Sequence, residues 1–326
     1  MNKLGTLLLG GCWAVSSVAE PQQCAQIEDD TTRLACFDTY FAPVVDGVDG
    51  EETTVQEQLV EARTETSLVK ERMGQERAVA DQFFALLPHH LNYFLPATIS
   101  STADYTDYGP FDEWFDEWEV KFQLSLKALL AENLWRDSSV WIGYTQQSYW
   151  QLYAEEEASA PFRETNYQPE LFWAVPVDFD VLGWHARLAT VALNHQSNGR
   201  SEPLSRSWNR ITGELALDRG PFAATVKSWY RLPEDAENDN NPDIEDYMGR
   251  VELGLAYKHG SQLFSMTLKN NLSSENRSGL ELNWTFPLVQ HLRGFIQIYS
   301  GYGENLLDAD NYNNRFGIGV SLSDRL

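Results

Sequence analysis

The sequence predicts an all-β protein: a twelve-stranded antiparallel transmembrane β-barrel with a short helical N-terminal extension. Three observations predict it. The chain opens on an export signal. It then runs through evenly spaced segments of two-residue hydrophobic period. It also carries 11 Trp, 14 Tyr and 16 Phe in 326 residues, many at segment ends where an interfacial girdle needs them. A soluble β-sandwich produces the same alternation, and the aromatic content together with export favours the barrel. Closure also removes the edge strands that lipid does not tolerate.

Residues 1–19, MNKLGTLLLGGCWAVSSVA, place one Lys before an apolar stretch and end on Ser17-Val18-Ala19, a small-x-small cleavage pattern. Cleavage removes Cys12 and leaves Cys24 and Cys36, an even pair in an oxidising compartment, read as a disulfide. The competing reading treats Leu9-Gly10-Gly11-Cys12 as a lipoprotein processing site, with little apolar core before it. Residues 20–86 form a charged, strand-poor periplasmic extension. Within it, 57–84 is rich in helix formers and reads as a helix, or else as a flexible acidic linker. Residues 87–326 make the barrel domain.

A net charge of −24 excludes electrostatic binding to nucleic acid or to a bare anionic membrane surface, while divalent cations remain plausible partners. The mean hydropathy is −0.40, and no apolar run of about 18 residues follows the N-terminus, which excludes a polytopic helical membrane protein.

Candidate strands fall near 91–97, 118–128, 138–150, 168–176, 184–195, 207–218, 221–231, 246–258, 261–270, 278–286, 291–300 and 314–323. The alternation is plain in 120–127, where Val120, Phe122, Leu124 and Leu126 oppose Lys121, Gln123, Ser125 and Lys127. It recurs in 280–286, where Leu280, Leu282, Trp284 and Phe286 oppose Glu281, Asn283 and Thr285.

Two consecutive strands put polar groups on the oily face. His195 shares a face with Ala189, Val191 and Leu193, and Asn209 shares one with Ile211, Gly213, Leu215 and Leu217. A hairpin joins them, so His195 and Asn209 fall side by side near one rim, and Ser197 points the same way if the chain stays extended. That is a nucleophile, a base and an orienting amide in one hairpin. A neutral Asn stabilises an imidazolium less than a carboxylate would, so the site needs further electrostatic help. The bland reading is that these groups merely sit at the headgroup level. The strand 138–150 repeats the pattern. Gln146 shares a face with Val140, Ile142 and Tyr144, which predicts a homodimer interface there, or a one-residue slip that turns Gln146 inward. No G-x-S-x-G elbow is present, which weakens a soluble α/β-hydrolase.

The string 195–209, HQSNGRSEPLSRSWN, resembles the outer membrane phospholipase A family. The likeness continues through VKFQLSL (120–126), GYTQQSYWQL (143–152), PFRETNYQPELF (161–172), NNPDIEDYMG (240–249) and YSGYGENLLD (299–308), and covers about residues 90–326. The resemblance implies a twelve-stranded barrel with its active site on the lipid-facing exterior, at the outer-leaflet rim. It implies phospholipid as substrate, Ser197 as nucleophile, His195 as general base and Asn209 as its partner. It further implies calcium dependence (Ca2+) and activity as a dimer, with the Arg200 carbonyl, the Ser205 hydroxyl and Ser159 of the other subunit as calcium ligands. Glu202 and Asn240 stand where the resemblance leads one to expect Asp at a second calcium position. The C-terminal Leu326 replaces the aromatic residue common in such barrels. The rival reading is a non-enzymatic barrel, a channel or a structural protein.

Overall fold

The computed structural model describes residues 27, 29, 32, 33, 67–80, 85–101, 108, 115–154, 159–237, 239–289 and 292–322. Thr32 donates from its N–H and hydroxyl to Asp29, a local turn. The expected signal, the Cys24–Cys36 disulfide and Leu326 lie outside the described residues.

After a two-residue pairing segment β1 (Leu87–Pro88), the barrel strands are β2 (Tyr93–Ser100), β3 (Trp118–Ala131), β4 (Ser139–Trp150), β5 (Phe162–Val181), β6 (Trp184–Ser197), β7 (Ser207–Arg219), β8 (Phe222–Arg231), β9 (Val251–His259), β10 (Gln262–Asn270), β11 (Ser278–Val289), β12 (Leu292–Gly301) and β13 (Asn313–Ser321). Each pairs antiparallel with its sequence neighbour, and β13 pairs with β2, which closes a twelve-stranded barrel. Every backbone ladder is thus satisfied within the wall, the condition for strands in lipid. Outward apolar side chains stay open, Val191 at 53% and Leu193 at 55% exposure, as a lipid-facing surface requires.

Most strand ends move by one to three residues, and two elements depart further from the expected bounds. Strand β5, expected over 168–176, runs from Phe162 to Val181, because PFRETNY extends the ladder with β4 and residues beyond 176 extend the ladder with β6. The strand expected from 246 begins instead at Val251. Residues Ile244–Met248 form a short helix α2 that ends at Gly249, whose φ is +86° and where a Cβ would stand 2.8 Å from the Asn270 carbonyl oxygen, so no side chain is admitted.

The N-terminal helix α1 (Leu68–Ala80) lies inside the stretch the composition marked. Ser67 caps it by accepting the Lys70 N–H at 3.0 Å. Leu68 and Val69 pack on Ala216 and Ala223, so the helix meets the barrel's inner wall at the end of the short turns. Glu76 there pairs with Lys127 at 2.8 Å and Arg72 at 2.7 Å. Burial opposes the Glu76 charge, and the two cations outweigh it, holding its carboxyl below the ordinary range.

The rest of the lumen is cross-linked by charge. Glu119 accepts from Arg163 at 2.9 Å and pairs with Arg315 at 2.7 Å; Glu304 binds Arg315 at 2.8 Å and Lys121 at 2.9 Å. Each of these three buried cations, Arg163, Arg315 and Lys121, meets a buried carboxylate, which is what makes such burial tolerable.

Candidate active site

The site is built on the β6–β7 hairpin, and its outward residues are fixed from inside. Along β6 the inward Asn194 and Gln196 alternate with His195 and Ser197; along β7 the inward Trp208 and Arg210 flank Asn209. Trp208 is fully buried, donates its indole N–H to Gln196 at 3.0 Å, and packs with Trp229, Met248 and Leu306. The Arg210 guanidinium stacks 3.9 Å from the Trp208 ring centroid and donates to Asn194 at 2.6 Å. A one-residue slip would drive these groups into lipid, so the inner network sets the register of the outer face.

In that register His195 pairs with Asn209, and Ser197 pairs with Ser207 on one side and Tyr167 on the other. His195 Nδ1 lies 2.8 Å from Asn209 Oδ1. An amide oxygen only accepts, so Nδ1 carries the proton and Nε2 is left as the basic nitrogen. The polar neighbours expected on one outward face are therefore brought together: His195 with Asn209 in contact, and Ser197 two residues along the same strand.

The intervening loop 198–206 is shaped by Asn198. Its Oδ1 accepts the N–H groups of Arg206 at 3.0 Å and Arg200 at 3.3 Å, and its Nδ2 donates to the Leu204 carbonyl at 2.8 Å. Gly199 adopts φ +66°, and a Cβ there would stand 3.0 Å from the Tyr167 ring. The Arg200 side chain reaches to β5, donating to the Phe162 carbonyl at 3.2 Å, to the Arg163 carbonyl, and to Glu164 at 3.3 Å.

Ser205 and Asn240 meet beside this loop. Asn240 Nδ2 donates to Ser205 Oγ at 2.8 Å, and Asn240 Oδ1 accepts the Ser207 N–H at 3.0 Å. Asn240 thus turns its NH2 group toward Ser205 and braces the hairpin, instead of offering an oxygen beside the Ser205 hydroxyl. Ser159 is exposed at the end of the β4–β5 connection with φ +55°, next to Ala160, whose carbonyl accepts from the Trp150 indole at 2.9 Å.

Gln146 lies on the outward face of β4. It accepts from Tyr144 at 3.0 Å and donates to Ser148 at 3.1 Å, and Thr165 donates to the same Ser148 hydroxyl at 3.1 Å. Its neighbour Gln147 turns inward to Tyr93, at 3.0 Å, so the register is the unslipped one.

The sequence reading missed one residue at the site. Glu234 Oε1 accepts from Asn209 Nδ2 at 3.1 Å. The signal was present in the pairing: Arg210 faces Arg231, and the Leu232 N–H donates to the Asn209 carbonyl at 2.8 Å, so the chain leaving β8 runs beside Asn209.

A second cluster with metal-binding side chains, His89, His90 and Glu170, lies apart from this loop. His89 Nε2 meets Glu170 Oε1 at 2.5 Å, and Lys127, Arg72 and Lys227 supply positive charge around it. Two imidazoles in a cationic setting suit a hard cation poorly. The oxygens of Arg200 and Ser205 fit calcium better, although they are few and neutral.

Comparison with known proteins identifies the family. The family model for phospholipase A1 matches residues 69–322. Phospholipase A1 of Escherichia coli K12 is 40% identical over 252 residues, covering 75% of this chain and 83% of that protein. A putative phospholipase A1 of Neisseria meningitidis serogroup B is 31% identical over 346 residues, covering 93% and 90%. Among solved structures, outer membrane phospholipase A from Escherichia coli superposes with a TM-score of 0.70 at 38% identity, covering 76% of this chain and 95% of that one. The calcium-bound dimer of the Salmonella typhi enzyme gives 0.71 at 37% identity, covering 77% and 97%. On the family match over residues 69–322 and these identities, the chain belongs to the phospholipase A1 family, the outer membrane phospholipases A.

Proposed function

We propose that this protein is a calcium-dependent hydrolase of phospholipid acyl esters, working at the lipid-facing rim of the outer membrane as a homodimer through Ser197, His195 and Asn209. The observation that carries the reading is the 2.8 Å contact between His195 Nδ1 and Asn209 Oδ1 on the lipid-facing side of the wall. A polar pair in that position is costly unless it is used. One solved relative, an active-site variant of the Escherichia coli enzyme with an asparagine changed to alanine, supports the part given to Asn209.

The chemistry follows from the tautomer. Ser197 Oγ attacks the ester carbonyl carbon while His195 Nε2 takes the hydroxyl proton. His195 returns that proton to the leaving alkoxide, and the lysophospholipid departs from an acyl-enzyme. Water then repeats the sequence, freeing the fatty acid and restoring Ser197. Asn209 holds the ring throughout. Calcium, when bound at this loop, would supply the positive charge that a neutral Asn does not. The donors would be the Arg200 carbonyl, the Ser205 hydroxyl and Ser159 of the partner subunit, with waters completing the shell. The calcium-bound dimer of the Salmonella typhi relative supports both the metal and the pairing. Asn240 serves this site as a brace for Ser205.

If each subunit holds only part of the shell, calcium binds more tightly to the dimer, and by linkage favours the dimer by the same factor. The test is hydrolysis of a detergent-dispersed phospholipid by the refolded full chain across a calcium titration, with crosslinked dimer measured in the same samples. Activity and dimer should rise together and fall together on chelation. Full hydrolysis by monomeric, chelator-treated protein contradicts the reading.

A further inference from the structure

We propose that Glu234 is a positioning residue of the catalytic hairpin: its carboxylate fixes the flip of the Asn209 amide and thereby the tautomer of His195. The inference rests on the catalytic role given above to His195 and Asn209, and adds a fourth member that touches neither substrate nor the reacting atoms.

An asparagine amide is nearly symmetric in shape, and rotating it by half a turn exchanges a donor for an acceptor. Facing His195 with its oxygen, Asn209 demands a proton on Nδ1 and leaves Nε2 basic toward Ser197. Facing His195 with its nitrogen, it would demand the proton on Nε2 and leave no base for the nucleophile. Asn209 cannot choose between these states unaided. An ionised carboxylate can only accept, so with Glu234 Oε1 at 3.1 Å from Asn209 Nδ2 the nitrogen is held on the Glu234 side and the oxygen at 2.8 Å from His195 Nδ1.

The backbone supports the arrangement. The Leu232 N–H donates to the Asn209 carbonyl at 2.8 Å, which ties the chain just before Glu234 to the residue it orients. Glu234 is itself half-buried, so its side chain is held close to the wall. The carboxylate also polarises the amide in the direction that strengthens its oxygen as an acceptor, returning part of the negative charge that the neutral Asn lacks.

A hydrogen bond to a charged acceptor sets an orientational preference of about ten- to a hundredfold, and partial exposure reduces it, so Glu234→Ala should lower kcat by about five- to tenfold with KM unchanged. Glu234→Gln, whose amide can accept or donate, should lie between Glu234→Ala and the parent. Because the effect passes through Asn209, Glu234→Ala should cost nothing further in an Asn209→Ala background, which itself retains partial activity. Nitrogen-15 spectra of the histidines in micelles, with His195→Ala for assignment, should show the Nδ1–H form of His195 in the parent and a growing Nε2–H form in Glu234→Ala. Barrel folding is checked by heat-modifiable gel mobility, and Glu234→Gln carries the test if the alanine variant misfolds. Parent-level kcat in both variants, or an undiminished loss on top of Asn209→Ala, overturns the inference. The catalytic reading fails separately, if Ser197→Ala still hydrolyses phospholipid.

Discussion

Gln146 and Ser197 flank Tyr167 on one rung of the barrel's outer wall: Gln146 pairs with Tyr167, and Tyr167 pairs with Ser197. Two inter-strand steps separate them, about 10 Å. A second subunit resting on Gln146 would therefore border the nucleophile and would tie association to catalysis.

The first prediction follows from that rung. Gln146→Ala removes the acceptor of Tyr144 and the donor to Ser148, leaving the outward face more apolar. If the amide serves the subunit contact, the crosslinked dimer fraction in detergent with calcium should fall, by about 1 kcal/mol in association free energy. Dimerisation equal to the parent's would move the interface elsewhere on the wall.

Trp208 supports a second prediction, because it sits on the face of the wall opposite to Ser197. Trp208→Ala empties a site shared with Trp229, Met248 and Leu306 and removes the indole donor to Gln196. The cost should be about 3–5 kcal/mol in urea unfolding from micelles. Hydrolysis should fall with it, since the inward pairing is what holds His195 opposite Asn209. Parent stability and activity would show that the outer face is held by other means.

Glu76 gives a prediction with a pH sign. Its carboxyl is held below its ordinary value of 4.5, so its contribution to docking α1 is fully present above that value and is lost as pH falls through the lowered one. Glu76→Gln leaves Lys127 without its anion and should weaken docking by about 1–3 kcal/mol at neutral pH, after allowance for partial exposure. Proteolysis between α1 and β2 should speed up in the variant at pH 7 and in the parent only in acid. Equal protection in both at pH 7 would deny the pair this role.

Much of this molecule is legible in its sequence. Period-two alternation carries face information along a strand, so the outward placement of His195, Asn209 and Gln146 could be read from their apolar neighbours, and that of Ser197 on the condition that the chain stays extended past 195. What alternation cannot carry is contact across loops. Glu234 reaches Asn209 through the path of the chain after β8, and Asn240 reaches Ser205 and Ser207 from a separate loop, neither marked by any period. The α2 turn was hidden for a related reason: residues 246–250 contain enough apolar character to pass for the start of β9, and the break is set by the crowded approach of Gly249 to Asn270. The docking of α1 was equally silent, because its buried face is only Leu68, Val69 and Met73, too few to mark a stripe along the helix.

The central claim is that hydrolysis runs through the hydroxyl of Ser197 on the outer wall. Phospholipid hydrolysis by refolded Ser197→Ala with calcium present, beside a parent of equal heat-modifiable folded fraction, tests it most directly. Substitution leaves the strand ladder between β6 and β7 untouched, so the barrel should fold as the parent does while fatty-acid release drops to background. Release at the parent's rate would place the nucleophile elsewhere and contradict the account.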